Sequence, residues 1–331
     1  MRKNNRFIKF PTKYWIPASA IAVLIVIELT LRLAFGFGNP VLSQTDVNTG
    51  YRFQPNQKIF RFGKEIEYNQ YSQRSEPITP EKPQGKLRIL MTGDSVLNGG
   101  NPTNQDQTIT ELFESKLSKS GHPAEVLNAS AGSWGIGNEL GYLREFGTFG
   151  SDTLILQIGT HDLTQPTSTS DPVGHDPNYP NKKPLLAIEE AWTRYGWPQL
   201  SGKFGIVTPS LEIPLSSPTE IDQQFQKNMA MLKEIIRQAH VNKARVFVLF
   251  TSNREDLIPQ FKIPKYKSEF LQLLNSLKVP VIDTHTAWSS LPQKTVETYF
   301  RDRVHLTVAA NQAVADLLIK EFNVEDYSVE N

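Results

Sequence analysis

Ser95 and His305 are the two side chains of this sequence best placed to do covalent chemistry together. The serine ends a Gly93-Asp94-Ser95 turn after the apolar run Leu87–Thr92, and the histidine closes Asp302-Arg303-Val304-His305 far along the chain. A buried strand that ends in a glycine and then presents an acid and a hydroxyl can hold a nucleophile at the edge of a sheet. A serine hydroxyl attacks well only when a neighbouring base takes its proton. His305 offers that base, and Asp302 offers the carboxylate that orients the imidazole and stabilises its charged form. Taken alone, Ser95 would equally suit a helix cap, and Asp302 with His305 a surface ion pair. Together they favour nucleophilic catalysis, with Asp94 as a turn-bonding residue beside them.

Two further blocks fall at the ends of strand-like runs. Asn128-Ala129-Ser130-Ala131-Gly132-Ser133-Trp134-Gly135 follows the run Ala124–Asn128, and Gly159-Thr160-His161-Asp162 follows Thr153–Ile158. The four blocks, in this order, resemble the SGNH/GDSL hydrolase superfamily, and the resemblance runs from about Lys86 to Phe322. That family contains esterases, lipases, carbohydrate deacetylases and some acyltransferases. The resemblance implies a flavodoxin-like three-layer α/β/α sandwich around a central, mostly parallel five-stranded sheet. It also implies an oxyanion hole built from the Ser95 N–H, the Gly132–Ser133 turn and the third block.

This chain departs from the family pattern twice. Ser133 stands five residues after Asn128, where the family has glycine, although Gly132 lies beside it. A backbone donor survives that change if the turn tolerates a Cβ. His161 stands where the family has asparagine, and a neutral imidazole can donate one hydrogen bond in its place. His161 is therefore expected either as the third oxyanion donor or as a structural histidine. Asn98, Trp134, Trp192 and Trp197 are candidate substrate-binding residues; the tryptophans suit either a sugar face or packing. Asp152, Asp162 and His175 lack metal-site spacing, and hydrolysis by a serine–histidine pair needs no metal, so neither metal nor cofactor is expected.

The elements that must position these residues alternate. Strand-like Leu87–Thr92, Ala124–Asn128, Thr153–Ile158, Arg245–Phe250 and Val279–Ile282 are separated by helical spacing over Thr108–Lys119, Asn138–Phe146, Ile221–Ala239 and Lys267–Leu277, and Thr307–Phe322 closes the series. Such βαβ alternation predicts a parallel sheet covered on both faces, with ligands outside the carboxyl ends of the strands. Residues 86–325 form the expected catalytic domain. It is interrupted at 163–220 by a Pro-, Ser- and Thr-rich insertion with a helical island at Leu185–Tyr195, of a length typical of lids and binding loops.

The amino terminus differs in kind. Residues 1–13 carry Arg2, Lys3, Arg6, Lys9 and Lys13 and no acid, and an apolar run follows to residue 37. A bilayer core needs about 20 helical residues. The span 14–37 is therefore expected to be an uncleaved transmembrane signal-anchor, with Tyr14 and Trp15 at its basic, cytoplasmic edge and the remainder of the chain extracytoplasmic. It is too long for a cleaved leader, and Ala34-Phe35-Gly36 makes a poor cleavage site. Glu28 and Arg32, four apart, can neutralise each other. Residues 38–85 are expected as a juxtamembrane segment with a small hairpin, ending in the Pro-rich connector Glu76–Gly85.

Composition excludes other classes. The 331-residue chain has a net charge of +1 and no cysteine. Nothing points to nucleic acid, disulfides or thiol chemistry. The expected activity is hydrolysis of an O-acyl ester, acetyl for preference, on a small molecule or on a cell-envelope or exported glycan. The alternatives are acyl transfer to a polysaccharide, a lipid or lysophospholipid ester, and a degraded polysaccharide-binding or assembly module.

Overall fold

The computed structural model describes residues 15–203 and 217–322. The basic tail 1–13, Tyr14, residues 204–216 of the insertion and residues 323–325 lie outside the described residues.

The first element, α1 (Trp15–Phe35), is an apolar helix with no buried residue, long enough to cross a membrane. Two antiparallel hairpins follow, β1 (Ser43–Asp46) with β2 (Gly50–Phe53) and β3 (Gln57–Arg61) with β4 (Lys64–Tyr68). Then come β5 (Leu87–Gly93), the one-turn α2 (Ser95–Asn98), α3 (Ile109–Lys119), β6 (Ala124–Ser130), α4 (Ile136–Phe146) and β7 (Thr153–Gly159). The insertion carries α5 (Ala187–Ala191), a π turn over Trp192–Gly196, and α6 (Trp197–Lys203). The chain continues through α7 (Pro218–Val241), β8 (Arg245–Thr251), α8 (Arg254–Leu257), α9 (Lys267–Ser276), β9 (Val281–Asp283), α10 (Thr284–Trp288), α11 (Gln293–Tyr299) and α12 (Val308–Glu321).

Five strands form one parallel sheet in the order β6-β5-β7-β8-β9, the expected α/β architecture. Alternating side chains feed two cores, as the period of two along a strand requires. On one face Leu90, Leu154, Val248 and Phe250 meet Leu140, Phe225, Leu232 and Phe270 of α4, α7 and α9. On the other, Ile89, Met91, Ile155 and Leu249 meet Phe113, Leu117, Val314 and Leu318 of α3 and α12. Local signals start the helices: Thr108 caps α3, Thr307 caps α12, and Ser217 with Glu220 forms a capping box before Pro218 on α7.

Residues 38–85 are built into this body. Tyr51 and Ile78 join the first core. Ser75 Oγ accepts from the Asn128 amide (2.9 Å). Arg88, fully buried on β5, donates to the carbonyls of Thr79 (2.9 Å), Pro80 (3.0 Å) and Phe149 (2.9 Å), which pins the Pro-rich connector to the sheet.

Candidate active site

Ser95 is the first residue of α2, directly beyond the end of β5. Asp94 caps this short helix, its Oδ1 accepting from the Val96 amide at 2.7 Å, and Gly99 ends it in the left-handed conformation. Gly93 is required by close approach: a Cβ there would lie 2.4 Å from Gln157 Oε1. That same oxygen accepts from the Asp94 amide (3.1 Å). The turn is also held from behind by fully buried Arg74, which donates to the carbonyls of Asn98, Gly100 and Thr103.

His305 returns from the loop between α11 and α12. Asp302 Oδ2 accepts a hydrogen bond from His305 Nδ1–H at 2.7 Å, which leaves Nε2 to accept from Ser95 Oγ at 3.0 Å. Asp302 Oδ1 also accepts from the amides of Val304 (2.9 Å) and His305 (2.8 Å), so one carboxylate shapes the loop and aims the ring. Partial burial pushes this carboxyl up, but bonds from the two amides and the ring outweigh that and hold it below the usual range. Arg301 ties the loop to α2 by donating to the carbonyls of Leu306 (2.8 Å) and Gly99 (3.2 Å).

At the second block, Ser133 adopts φ +57, a left-handed conformation that glycine takes more readily. Its Oγ accepts from Tyr179 Oη (3.2 Å) and its carbonyl from Gln165 Nε2 (2.8 Å), so the insertion holds the strained turn in place. The Gly132 carbonyl accepts from Tyr51 Oη of the hairpin β1–β2. The backbone N–H groups of Ser95, Gly132 and Ser133 have no protein partner among the described residues.

His161 is placed differently from the oxyanion expectation. Its Nε2 lies 2.8 Å from Asp94 Oδ2 and its Nδ1 lies 3.0 Å from Asn253 Oδ1. Both neighbours accept, so both ring nitrogens are committed and neither is free for a substrate oxygen. Burial alone would push this ring down. The carboxylates of Asp162 and Asp94 outweigh it and hold the imidazole up at about 10, charged at neutral pH. Asp162, pushed up by its own burial, accepts from the Gly159 amide at 2.7 Å. Beneath them burial pushes the carboxyl of Glu139 well up, and this side chain accepts from Thr92 Oγ1. Asp94, His161 and Asp162 gather three potential metal-ligand atoms within 4.8 Å, and the imidazolium is itself the counter-charge in that cluster.

The block extends into a second relay. Thr160 Oγ1 donates to Asp256 Oδ2 (2.7 Å), which His285 Nε2 meets at 3.1 Å. His285 Nδ1 lies 3.1 Å from Asp283 Oδ1, and Lys267 bonds the other oxygen of Asp283 at 2.7 Å.

Two of the four candidate substrate-binding residues are buried, and the other two are exposed on the insertion. Asn98 is buried, accepting from Tyr68 Oη (3.1 Å) and donating to the Ser130 carbonyl (3.0 Å), so it braces the turn and presents nothing to a ligand. Trp134 is buried with its indole N–H on the Tyr51 carbonyl (2.8 Å), which leaves no ring face for a sugar. Trp192 and Trp197 pack 6.5 Å apart on the insertion, and neither lines the cleft that borders His161. That cleft, of about 390 Å³, is lined by Thr160, His161, Gln165, Asn253, Lys265 and Arg303 among others. Asn253 and Gln157 were missed by sequence reasoning. Both lie on or just beyond the strands β7 and β8, and the rule that ligands gather at strand carboxyl ends could have found Asn253.

A hydroxyl, an imidazole and a carboxylate aligned at the carboxyl edge of a parallel sheet are the arrangement of a serine-type hydrolase. The chain belongs to the GDSL-like lipase/acylhydrolase family, whose model matches residues 91–313, and it is a hydrolase of ester bonds. Among solved structures it is similar to an acetyl xylan esterase, AlAXEase (13% identity, TM-score 0.47, covering 72% of this chain and 100% of that one). It is likewise similar to a member of the lipolytic protein G-D-S-L family from Veillonella parvula DSM 2008 (13%, TM-score 0.44, 71% and 98%). A third is the lipase/acylhydrolase from Enterococcus faecalis (15%, TM-score 0.44, 71% and 94%). Comparison with curated proteins returns no match.

Proposed function

We propose that the protein is a membrane-anchored serine esterase that removes a short acyl group, acetyl for preference, from a hydroxyl of a cell-envelope or exported glycan. The observation that carries the chemistry is the chain of contacts from Ser95 Oγ to His305 Nε2 (3.0 Å) and from His305 Nδ1 to Asp302 (2.7 Å). Ser95 attacks the ester carbonyl while His305 Nε2 takes its proton. The developing oxyanion is met by the N–H groups of Ser95 and of the Gly132–Ser133 turn. His305 then gives the proton to the departing alkoxide, leaving an acyl-serine. Water, deprotonated by the same nitrogen, attacks the acyl carbonyl and Ser95 leaves with the proton. His161 serves this cycle as a positioning residue, fixing Asp94 and with it the first turn of α2.

The cleft that borders His161 offers Gln165, Asn253, Lys265 and Arg303 next to apolar Leu163, Pro264 and Tyr266, and those polar groups suit an alcohol that carries further hydroxyls. The anchor is supported by contacts between α1 and the catalytic body. Glu28 accepts from the amides of Ala187 (2.8 Å) and Ile188 (3.0 Å), and Arg32 donates to the Leu185 carbonyl (2.7 Å). A leader destined for removal has no reason to be bonded into the mature fold, and the basic flank favours an extracytoplasmic domain.

The full-length chain in detergent is treated with a fluorophosphonate and the adduct located by mass spectrometry. Modification at Ser95, lost in His305→Ala, is the expected result; a folded protein without adduct would overturn the assignment. Faster release of p-nitrophenol from acetyl than from longer esters is expected for the acyl length.

A further inference from the structure

We propose that the insertion segment from Leu185 to Leu200 is a membrane-seated platform that lies in the outer half of the bilayer interface beside α1. This rests on the reading of α1 as a transmembrane anchor. The geometry follows from where the catalytic body grips the helix. From Trp15 to Ile27 α1 rises only about 20 Å, whereas a hydrocarbon core is about 30 Å thick. The grip begins at the next residue: Glu28 caps the amino terminus of α5, and Arg32 bonds both Glu28 (2.6 Å) and the Leu185 carbonyl. With Trp15 at the inner interface, α5 meets α1 about 10 Å short of the outer one. The body therefore reaches down into the lipid at this level.

The side chains exposed there suit that depth. Leu185 is 84% exposed, Trp192 52% and Trp197 42%, with Leu186, Tyr195 and Leu200 exposed beside them. Tryptophan and tyrosine favour the headgroup boundary, and interfacial segments sink about 5–10 Å into it. Two charged side chains of the segment, Glu190 and Arg194, are engaged from the protein side. Glu190 is buried against Arg61 and accepts from the Gly38 amide (2.7 Å), and Arg194 bonds Glu190 at 3.2 Å. Glu189, exposed on α5, lines a cleft shared with Lys182 and Arg194. Lys182 and Lys183, exposed just before Leu185, are placed for lipid phosphates. The platform also explains how an acid and a base are tolerated within an apolar helix: their partners are each other and α5.

The absence of native cysteine permits a direct test. Single variants Leu185→Cys, Trp192→Cys, Leu24→Cys and Val47→Cys of the full-length chain carry an environment-sensitive fluorophore and are reconstituted into phosphatidylcholine–phosphatidylglycerol vesicles. Labels at 185 and 192 are expected to lose emission to brominated lipid tails and to resist aqueous iodide, as the label at 24 does. The label at 47, a position 98% exposed, should show the reverse. If 185 and 192 behave like 47 while 24 remains in lipid, the platform is wrong and the anchor stands. If iodide also reaches 24, the anchor reading falls and the platform with it. Shielding from iodide without quenching by brominated lipid would mean that a second copy covers the surface, which overturns the lipid assignment.

Discussion

At the scale of single residues, the attacking side and the supporting side of the site are built differently. Ser95→Ala is expected to lower kcat on an activated ester by on the order of 10⁴-fold or more, with His305→Ala equally severe and the double variant no worse, because the pair acts as a unit. Asp302 has a 54% exposed side chain, so water can replace part of its role. Asp302→Asn should fall at the mild end of a loss of about 10²–10⁴-fold. Initial rates on p-nitrophenyl acetate check all four variants. His161 should behave as a buried cation. Its pKa, raised from 6.5 to about 10, means that the folded chain holds this proton more tightly than the unfolded chain. The stabilisation is therefore complete below about pH 6.5 and is lost as pH rises through about 10. The gap in melting temperature between the natural chain and His161→Gln is expected to be widest at about pH 6.5 and to close as pH rises to about 10. A gap that stays constant to pH 11 would contradict the charged assignment. The histidine's presence was legible in the sequence, but its two acceptors, from β5 and β8, were not, since neither is near it in the chain.

At the scale of elements, the short helix α2 is held by groups that arrive from outside the hydrolase motifs. Arg74 is the clearest case: fully buried, it satisfies three carbonyls around the nucleophile turn, and burial pushes its own pKa down. Arg74→Ala leaves those carbonyls without a donor and is expected to destabilise the fold by about 2–4 kcal/mol, measured by urea unfolding. It should also lower kcat more than it alters KM, since it loosens the turn that carries Ser95. The strands and long helices were readable because their periodicity repeats over many residues. The insertion was readable chiefly as a break in that rhythm. Its contacts to Ser133 through Gln165 and Tyr179 belong to packing that no local pattern encodes.

For the whole molecule, the hairpins and connector at 38–85 decide where the catalytic body begins. Tyr51, Tyr68, Arg74 and Ser75 each bond or pack against the sheet or the nucleophile turn. We expect a chain starting at Lys86 to be insoluble or to show no cooperative thermal transition, whereas one starting at Gly38 should fold. Differential scanning fluorimetry of the two distinguishes an appended spacer from an integral subdomain. The full chain should remain in the membrane pellet after alkaline carbonate extraction; release into the supernatant would count against α1 as a spanning helix.

The sequence by itself determined the parallel α/β class and the apolar helix, because strand period and helix length are short-range order, and it pointed to Ser95, Asp302 and His305 through the order of four blocks that resemble a known family. Tertiary structure alone decided what surrounds them. It buried Asn98 and Trp134, turned His161 into an ion held by Asp94 and Asn253, and joined Glu28 of α1 to the insertion. These are contacts between segments dozens to hundreds of residues apart. They are selected by shape and by the need to satisfy every buried polar group, which no single stretch of sequence expresses.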